Sequence, residues 1–307
     1  MTETIKVSEL ATALLQLAQP LSAFDMPLLD SHGATLAEDV FSGERVVLKA
    51  GSRIRATQIG LAASLGLDHL PTRPQPRVVV ISAGADLVEP GKALQSDSEE
   101  YEANSWLLTT AMREAGAVSY RVHTIPETSD SLQSIVEDQL VRADLIVICG
   151  ESHDDSFDLI LSALQRLGDV KAIQPLIELS GRHAYGTIGP DKTPVVVLPG
   201  DPISAYISCE LFIRPMVRSM MGLYDIHRPV ARATLTNDVE SEPGKHSFIR
   251  GVLSQGKGDA RTVTALESQG DLEGLSDATG LIILNEEATK AVRGSEVDVL
   301  LLERRFN

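Results

Sequence analysis

The sequence is poor in cysteine and in aromatic residues, and it has no long hydrophobic run. Its two cysteines, Cys149 and Cys209, form no CxxC pair, which argues against a disulfide framework or a zinc site. Aromatic residues make up 4% of the chain, too few for a stacking platform. No apolar stretch approaches the roughly 20 residues of a membrane-spanning helix. The amphipathic start, with Glu3 and Glu9, is unlike a secretory signal. We therefore expect a cytoplasmic chain without a membrane segment.

Positive charge is also scarce. The chain has 27 Lys and Arg against 43 Asp and Glu, a formal net charge of −16. Because binding to nucleic acid or to anionic membranes relies on Lys and Arg, this charge argues against both partners. A ligand that carries phosphate would need a local cluster of backbone amides or a local cation. The acidic excess is otherwise typical of a soluble surface.

Buried strands alternate with amphipathic helices in the middle of the chain. The first strand, Arg77–Ser82, is a continuous β-branched run, as expected of a strand buried on both faces of a parallel sheet. The pattern continues to Gly222 with strands at Val118–His123, Asp144–Cys149 and Pro194–Leu198 and with helices at Asn104–Ala115, Leu132–Val141, Phe157–Leu167 and Ile203–Met221. It predicts an α/β unit with a mainly parallel sheet and a ligand at the carboxyl ends of the strands.

The flanking segments have different patterns. Residues 1–75 predict a small α+β region whose first helix ends before Pro20, and Pro71, Pro74 and Pro76 predict a stiff connection after it. Residues 76–225 form the predicted α/β domain. Residues 226–307 contain short apolar or alternating stretches separated by turns, which predict a small β-barrel or sandwich.

Three loops at predicted strand ends carry the candidate site. In the turn Leu198–Pro202, Asp201 suits a helix N-cap and Pro202 the first helical position, so the turn either caps the helix or also binds an anion. In Gly150–Asp158, four carboxylates and Ser152 either hold Mg²⁺ or form a charged surface turn. The loop Ser82–Leu87 places Asp86 at the same edge of the sheet.

A fourth loop, Ser180–Gly189, combines a cationic side chain with a flexible backbone. Its Arg182 is the candidate contact for an anion, or else a solvated surface arginine. The chain contains no Walker sequence, no GxGxxG fingerprint and no hydrolase nucleophile elbow. Composition and spacing therefore predict a ligand site but no particular reaction.

The order of these motifs resembles that of a known enzyme family. Leu36–Val40 is similar to its "LAEDV" segment and Arg77–Pro90 to its "rVaiisTGdELvepG" segment. Asn104 is similar to the "dsN" that begins the next helix, Ala143–Asp158 to "aDlvittGGvSvGdyD", and Leu198–Ala205 to "LPGNPvSa". Over nearly its whole length the chain resembles the molybdopterin molybdenumtransferase family, which includes MoeA and gephyrin.

The resemblance implies a MoeA-like fold with a reduced N-terminal domain, a central molybdopterin-binding α/β domain and a C-terminal β-barrel, assembled as a homodimer. It implies that adenylylated molybdopterin, a pterin phosphate, binds the central domain, where molybdate is inserted and the adenylyl bond is hydrolysed with the help of Mg²⁺. It implies catalytic roles for Asp86 and Asp158 and a metal-ligand role for Asp158. The implied ligand-binding residues are Gly84, Asn104, Gly150, Ser152, Arg182, Pro199, Gly200, Asp201 and Pro202.

The sequence departs from the family pattern at four places, one of which is "TGDEL", whose carboxylate pair is reduced to Ala85–Asp86. The inserted domain with "PxFxxSxMDGYA" is missing between about Val40 and Val46, "GGVSVG" has become Gly150–Asp155, and "KPGKP" has become Glu178–Arg182 without either lysine. Each lost cation weakens anion binding, and a carboxylate in its place repels an anion. Two hypotheses follow: an enzyme of molybdenum cofactor synthesis, or a non-catalytic scaffold or pterin- or nucleotide-binding protein with a protein partner.

Overall fold

The computed structural model describes residues 3–151, 155–255, 260–267 and 272–302, with the backbone alone at position 155. They form a small N-terminal region, a central α/β unit and a closed C-terminal barrel, so the predicted fold class is confirmed. The division at residues 75 and 225 stays a prediction. Within the described ranges, every helix is too short or too polar to span a bilayer.

The N-terminal region is a small sheet with a helix and a hairpin. Its elements are β1 (Glu3–Ile5), α1 (Val7–Leu17), β2 (Phe24–Pro27), β3 (Thr35–Leu36), β4 (Val40–Ser42), β5 (Arg45–Leu48), α2 (Ala56–Ser64) and β6 (His69–Arg73). Pro71, predicted in a stiff connection, instead lies within β6 opposite Asp25. The chain passes from β4 to β5 through the two-residue turn Gly43–Glu44. No domain is inserted between Ser42 and Arg45, in agreement with the shortened form predicted from the motifs.

The central unit is a seven-stranded sheet with helices on both faces. Its elements are β7 (Arg77–Ser82), β8 (Leu87–Val88), β9 (Glu100–Tyr101), α3 (Asn104–Ala115), β10 (Val118–Arg121), α4 (Ser129–Leu140), β11 (Leu145–Cys149), α5 (Asp155–Leu167), β12 (Gly168–Pro175), β13 (His183–Ile188), β14 (Thr193–Leu198), α6 (Pro202–Ser208) and α7 (Arg214–Met220). A π-helical turn, Cys209–Ile213, joins α6 to α7. The strand order is β1-β12-β13-β14-β11-β7-β10.

The sheet is parallel from β14 to β10 because β14, β11, β7 and β10 run in the same direction. Helices α1, α3, α6 and α7 pack on one face, and α4 and α5 pack on the other. The connection from β7 to β10 runs through α3 and the one from β10 to β11 through α4. The chain therefore reverses its direction of winding between β7 and β11, which is where open α/β sheets bind ligands.

Three local predictions for this unit were wrong. Ser180–Gly189 was expected to be a loop, yet its second part is the strand β13, and β12 was not predicted at all. Both strands are polar and contain glycine, so their conformation depends on pairing with each other and with β14. Helix α4 ends at Leu140, and Val141, predicted on its buried face, is 87% exposed.

The first elements also pack into the central unit. Strand β1 pairs in parallel with β12, from Glu3 opposite Ile173 to Ile5 opposite Pro175. Leu10 and Leu14 of α1 are buried in the same core as α3 and α7. The predicted amphipathic helix is confirmed, and its apolar face extends the core of the α/β unit.

The C-terminal part is a five-stranded barrel. Its elements are β15 (Val230–Leu235), β16 (Val239–Glu240), β17 (Ser247–Gln255), β18 (Arg261–Ala265), α8 (Leu272–Asp277), β19 (Gly280–Leu284), β20 (Lys290–Ala291) and β21 (Glu296–Leu301). The closed order is β15-β18-β17-β19-β21, and the inward side chains form a separate core. The His246 amide donates to the Leu176 carbonyl at 2.9 Å, and the Glu178 amide donates to the His246 carbonyl at 2.8 Å. These bonds join the barrel to the loop before β13.

Candidate functional site

A cavity of about 360 Å³ lies at the carboxyl ends of β11 and β14. The loops after these strands and the segment before β13 line it. The lining residues used below are Gly150, Glu151, Arg182, Pro199, Gly200 and Asp201. The cavity therefore gathers residues from three of the loops that the sequence singled out.

A larger cavity of about 650 Å³ separates the central unit from the barrel. Among its charged lining residues, Arg250 is basic, and the others are acidic: Glu178, Asp201, Asp238, Glu240 and Glu267. It shares Asp201 with the smaller cavity. We take the smaller cavity as the candidate site because it lies at the ends of the parallel strands.

The turn after β14 begins helix α6 as the sequence predicts. Asp201 is the N-cap, and its carboxylate accepts from the Ser204 amide at 2.8 Å and from the Ser204 hydroxyl at 2.7 Å. Pro202 occupies the first turn of the helix. The cap interpretation of this turn is confirmed, and the carboxylate of Asp201 adds negative charge to the cavity wall.

The loop after β11 starts with a close contact between backbone and side chain. The Glu151 amide donates to the Ser156 hydroxyl of α5 at 2.9 Å. A Cβ atom added at Gly150 would lie 2.1 Å from that hydroxyl oxygen, so only glycine permits this approach. The contact fixes the direction in which the Glu151 side chain leaves the loop. Ser152, a predicted ligand-binding residue, lies outside the described residues.

The Glu151 side chain crosses from β11 to the loop after β7. Its Oε1 accepts from the Asp86 amide at 2.8 Å. A Cβ atom added at Gly84 would lie 2.4 Å from both Cγ and Oε1 of Glu151, so the carboxylate occupies the space that this glycine leaves. The Asp86 carboxylate is exposed and accepts from the Ser98 hydroxyl at 3.2 Å. The structure thus places Gly84 and Asp86 beside Glu151, at the edge of the cavity.

Asn104 connects helix α3 to the turn after β14. Its side-chain amide donates to the Gly200 carbonyl at 2.6 Å. Asn104 is 6% exposed, and its Oδ1 atom has no hydrogen-bond partner in the described part of the chain. Asn104 therefore holds the turn that lines the cavity, as a positioning residue behind it.

Arg182 brings a cation to the cavity, as the sequence predicts, but the cation is paired. Its Nη1 donates to Asp158 Oδ1 at 2.8 Å, and its guanidinium carbon lies 4.3 Å from the centre of the Phe157 ring. Asp158 therefore neutralises the arginine. Across the described ranges, no three His, Cys, Asp or Glu residues cluster as a metal site. The metal-ligand role of Asp158 stays a prediction.

A buried polar network behind the loop after β7 was not predicted. Glu102 is 1% exposed and accepts from the Ser82 hydroxyl at 2.7 Å and from the Ser105 amide and hydroxyl at 2.7 and 2.6 Å. Arg121 forms ion pairs with Glu102 at 3.1 Å and with Glu89 at 2.5 Å. The network ties this loop to β10 and α3. The sequence signal that could have indicated this network is the acidic residue two positions before Asn104, at the start of a predicted helix.

The ring of His183 is buried under the cavity. Because a carbonyl only accepts, Nδ1 carries the proton and donates to the Gly181 carbonyl at 3.0 Å, and Nε2 accepts from the Ser208 hydroxyl at 2.8 Å. Burial lowers the pKa of His183 to about 4, against a smaller opposing effect of the Gly181 carbonyl. The ring is therefore neutral in the folded protein at neutral pH.

We expect this histidine to make the fold less stable in mild acid. Below pH 6.5 His183 becomes protonated in the unfolded chain but stays neutral in the folded protein. The free energy of unfolding therefore falls between pH 6.5 and 4. The loss is on the order of 3 kcal/mol, since each pKa unit corresponds to about 1.4 kcal/mol. Urea unfolding of wild type and His183→Gln at several pH values measures it. The variant should lose this part of the slope, and His32→Gln, at an exposed position, should keep it.

Comparison with known proteins agrees with this architecture. Residues 79–219 match the family described as "Probable molybdopterin binding domain", and residues 232–302 match "MoeA C-terminal region (domain IV)". A molybdopterin molybdenumtransferase 2 from Mycobacterium tuberculosis H37Rv is 35% identical over 274 residues, 87% of this chain and 66% of that protein. The chain belongs to the MoeA family of molybdopterin molybdenumtransferases.

Further MoeA relatives extend the comparison. A molybdopterin molybdenumtransferase 1 from the same organism is 30% identical over 271 residues, 86% of this chain and 63% of that protein. The chain thus spans 66% and 63% of the lengths of these two relatives. A MoeA crystal structure from Pyrococcus horikoshii has a TM-score of 0.81 at 19% identity, covering 98% of this chain and 100% of the other. A Pyrococcus furiosus molybdenum cofactor biosynthesis protein has a TM-score of 0.73 at 20% identity, covering 97% and 100%.

The residues that match the MoeA motifs lie either in the wall of one cavity or one contact behind that wall. Gly150, Arg182, Pro199, Gly200 and Asp201 line it. The others lie one contact behind them, as shown by Gly84 and Asp86 against Glu151, Asn104 against Gly200, Asp158 against Arg182, and Pro202 after Asp201. The catalytic and ligand-binding roles carried over from the family stay predictions.

Proposed function

We propose that this MoeA-family chain acts in molybdenum cofactor synthesis as a molybdopterin molybdenumtransferase, with molybdopterin, its adenylylated form and molybdate as substrates. The observation that carries the proposal is the cavity at the carboxyl ends of β11 and β14, lined by residues of the family's motifs. The mycobacterial relatives are named molybdenumtransferases, which favours an enzyme over the scaffold alternative.

In this proposal the pterin lies in the cavity and its phosphate faces Arg182. The guanidinium is oriented by the Phe157 ring and by Asp158, so a phosphate that replaces the Asp158 carboxylate meets a donor already in place. Pro199 and Gly200 supply the wall opposite, and Asn104 keeps that wall fixed through its bond to the Gly200 carbonyl. These residues bind and orient the ligand.

The proposal also includes a homodimer, as the family resemblance implies, and the cytoplasmic location expected from the sequence. The family resemblance also implies magnesium, and the binding proposal does not depend on the metal. Asp86 and Asp158 are the carboxylates proposed for catalysis. Asp86 is exposed at the cavity edge, and Asp158 is exposed and paired with Arg182.

Calorimetry with molybdopterin under anaerobic conditions tests the binding. We expect saturable binding to the wild type and at least about tenfold weaker binding to Arg182→Gln, because a charge-assisted contact to phosphate is lost. The control is Arg166→Gln. This arginine lies in the last turn of α5, at the opposite end from Asp158, and pairs with the exposed Asp130. This variant should bind as the wild type does. Absence of binding to all three proteins would contradict the proposed function.

A further inference from the structure

The place where the winding of the sheet reverses is filled by a side chain of the protein itself. The crevice between the loops after β7 and β11 is where ligands enter open α/β sheets, because the two connections leave to opposite faces there. In this chain the Glu151 carboxylate lies across that crevice, against Gly84 and hydrogen-bonded to the Asp86 amide. A ligand must share this space with it.

The position of the carboxylate is well defined. The Glu151 backbone is held by Ser156, which in turn requires Gly150. On the other side, the Gly84 amide donates to the Pro126 carbonyl at 3.0 Å, so the loop that receives the carboxylate is anchored too. The side chain accepts a bond that an anionic ligand would otherwise accept at the Asp86 amide.

The charges around the cavity also disfavour the binding of an anionic ligand. Glu151 and Asp201 both line it, and Arg182 is already paired with Asp158. A phosphate group that binds at the Asp86 amide, unlike one that binds at Arg182, therefore meets these carboxylates and must displace Glu151 from that amide. Like charges that line one cavity repel an anion that enters it.

We propose that Glu151 is a specificity-determining residue, an internal competitor that lowers the affinity of the cavity for phosphate-bearing ligands. Its carboxylate takes the place of a ligand's anionic group at the Asp86 amide. The expected effect on pterin binding rests on the proposed function, whereas the expected effect on the binding of a simple anion rests on the geometry alone. The neutral part of a ligand is not affected by this competition.

The substitution Glu151→Gln isolates the charge. The side-chain carbonyl of glutamine can still accept from the Asp86 amide, so the crevice keeps its shape while the negative charge is removed. The matched control is Glu44→Gln, which makes the same change in net charge at the exposed turn between β4 and β5.

The first measurement uses the fluorescent oxidised pterin phosphate derived from molybdopterin and its dephosphorylated form, titrated at constant ionic strength with fluorescence anisotropy as the signal. We expect the Kd of Glu151→Gln for the phosphorylated pterin to fall at least about tenfold, and its Kd for the dephosphorylated pterin to stay unchanged. Glu44→Gln should match the wild type. An equal gain for both pterins, or no gain for either, overturns the proposal.

The second measurement uses inorganic pyrophosphate, so that the two proposals fail separately. Calorimetry should show at least about tenfold tighter pyrophosphate binding to Glu151→Gln than to wild type or Glu44→Gln. If no pterin binds any of the proteins, the proposed function fails, and the pyrophosphate titration still decides the role of Glu151. Equal pyrophosphate affinity in all three proteins, or no binding to Glu151→Gln, overturns that role.

Discussion

Replacing Glu102 by leucine should lower the free energy of unfolding by about 3–5 kcal/mol. The substitution leaves the Arg121 guanidinium, whose side chain is 8% exposed, with Glu89 as its remaining carboxylate, and it removes the acceptor for Ser82 and Ser105. A buried charge that loses its partner is costly because it has left water without full compensation. Urea unfolding followed by circular dichroism measures the loss.

The chain contains a fluorescent reporter for the Glu102 network. Its single tryptophan, Trp106, has the Arg121 guanidinium 4.4 Å from its ring centre. We expect its fluorescence to change in Glu102→Leu. Asp130→Asn, which breaks an exposed ion pair with Arg166, should cost less than about 1 kcal/mol. The double variant Glu102→Leu, Arg121→Met should recover part of the stability, and equal losses in the single variant and the Asp130 control would refute the argument.

Replacing Arg228 by methionine should cost about 3 kcal/mol or more. Arg228 forms a two-point ion pair with Glu210 of the π-helical turn, at 2.7 and 2.8 Å, and donates to the Leu302 carbonyl at 2.5 Å. The Glu210 side chain is 1% exposed, and its remaining cation, Arg214, is 3.8 Å away. The change therefore leaves a buried carboxylate poorly compensated and removes a link between the central unit and the end of the barrel.

A matched arginine in the barrel provides the control. Arg232 pairs with Asp298 at 3.2 Å, but both side chains are more than half exposed. Arg232→Met should change the free energy of unfolding by less than about 1 kcal/mol, since water screens and solvates that pair. Thermal unfolding by calorimetry compares the two variants. Similar small losses in both would show that burial of the Glu210 pair does not contribute as proposed.

The Glu102 network connects stability to the candidate site. It anchors the start of α3, and Asn104 in the first turn of that helix holds the Gly200 carbonyl at the cavity wall. Arg121 reaches from β10 to Glu89 in the long loop after β7. A loss of this network should therefore loosen both walls of the site as well as the fold.

Much of the architecture followed from local sequence pattern. Strands buried on both faces, such as Arg77–Ser82 and Leu145–Cys149, are continuous apolar runs. Helices buried on one side have one apolar face. Both patterns can be read directly from the sequence. The cap at Asp201 and the loop positions at strand ends are likewise local. Strands β12 and β13 have no such pattern, since pairing with distant partners stabilises them.

By itself, then, the sequence determined the α/β alternation, the barrel, the family motifs and the edge of the sheet at which a ligand is predicted to bind. Only the tertiary structure decided what the charged groups at that edge do. Arg182 meets Asp158 across 24 residues of chain, and Glu151 meets the Asp86 amide across 65. Such contacts have no local pattern because the fold sets the partner, and at this site the partner changes an expected anion contact into a neutralised one.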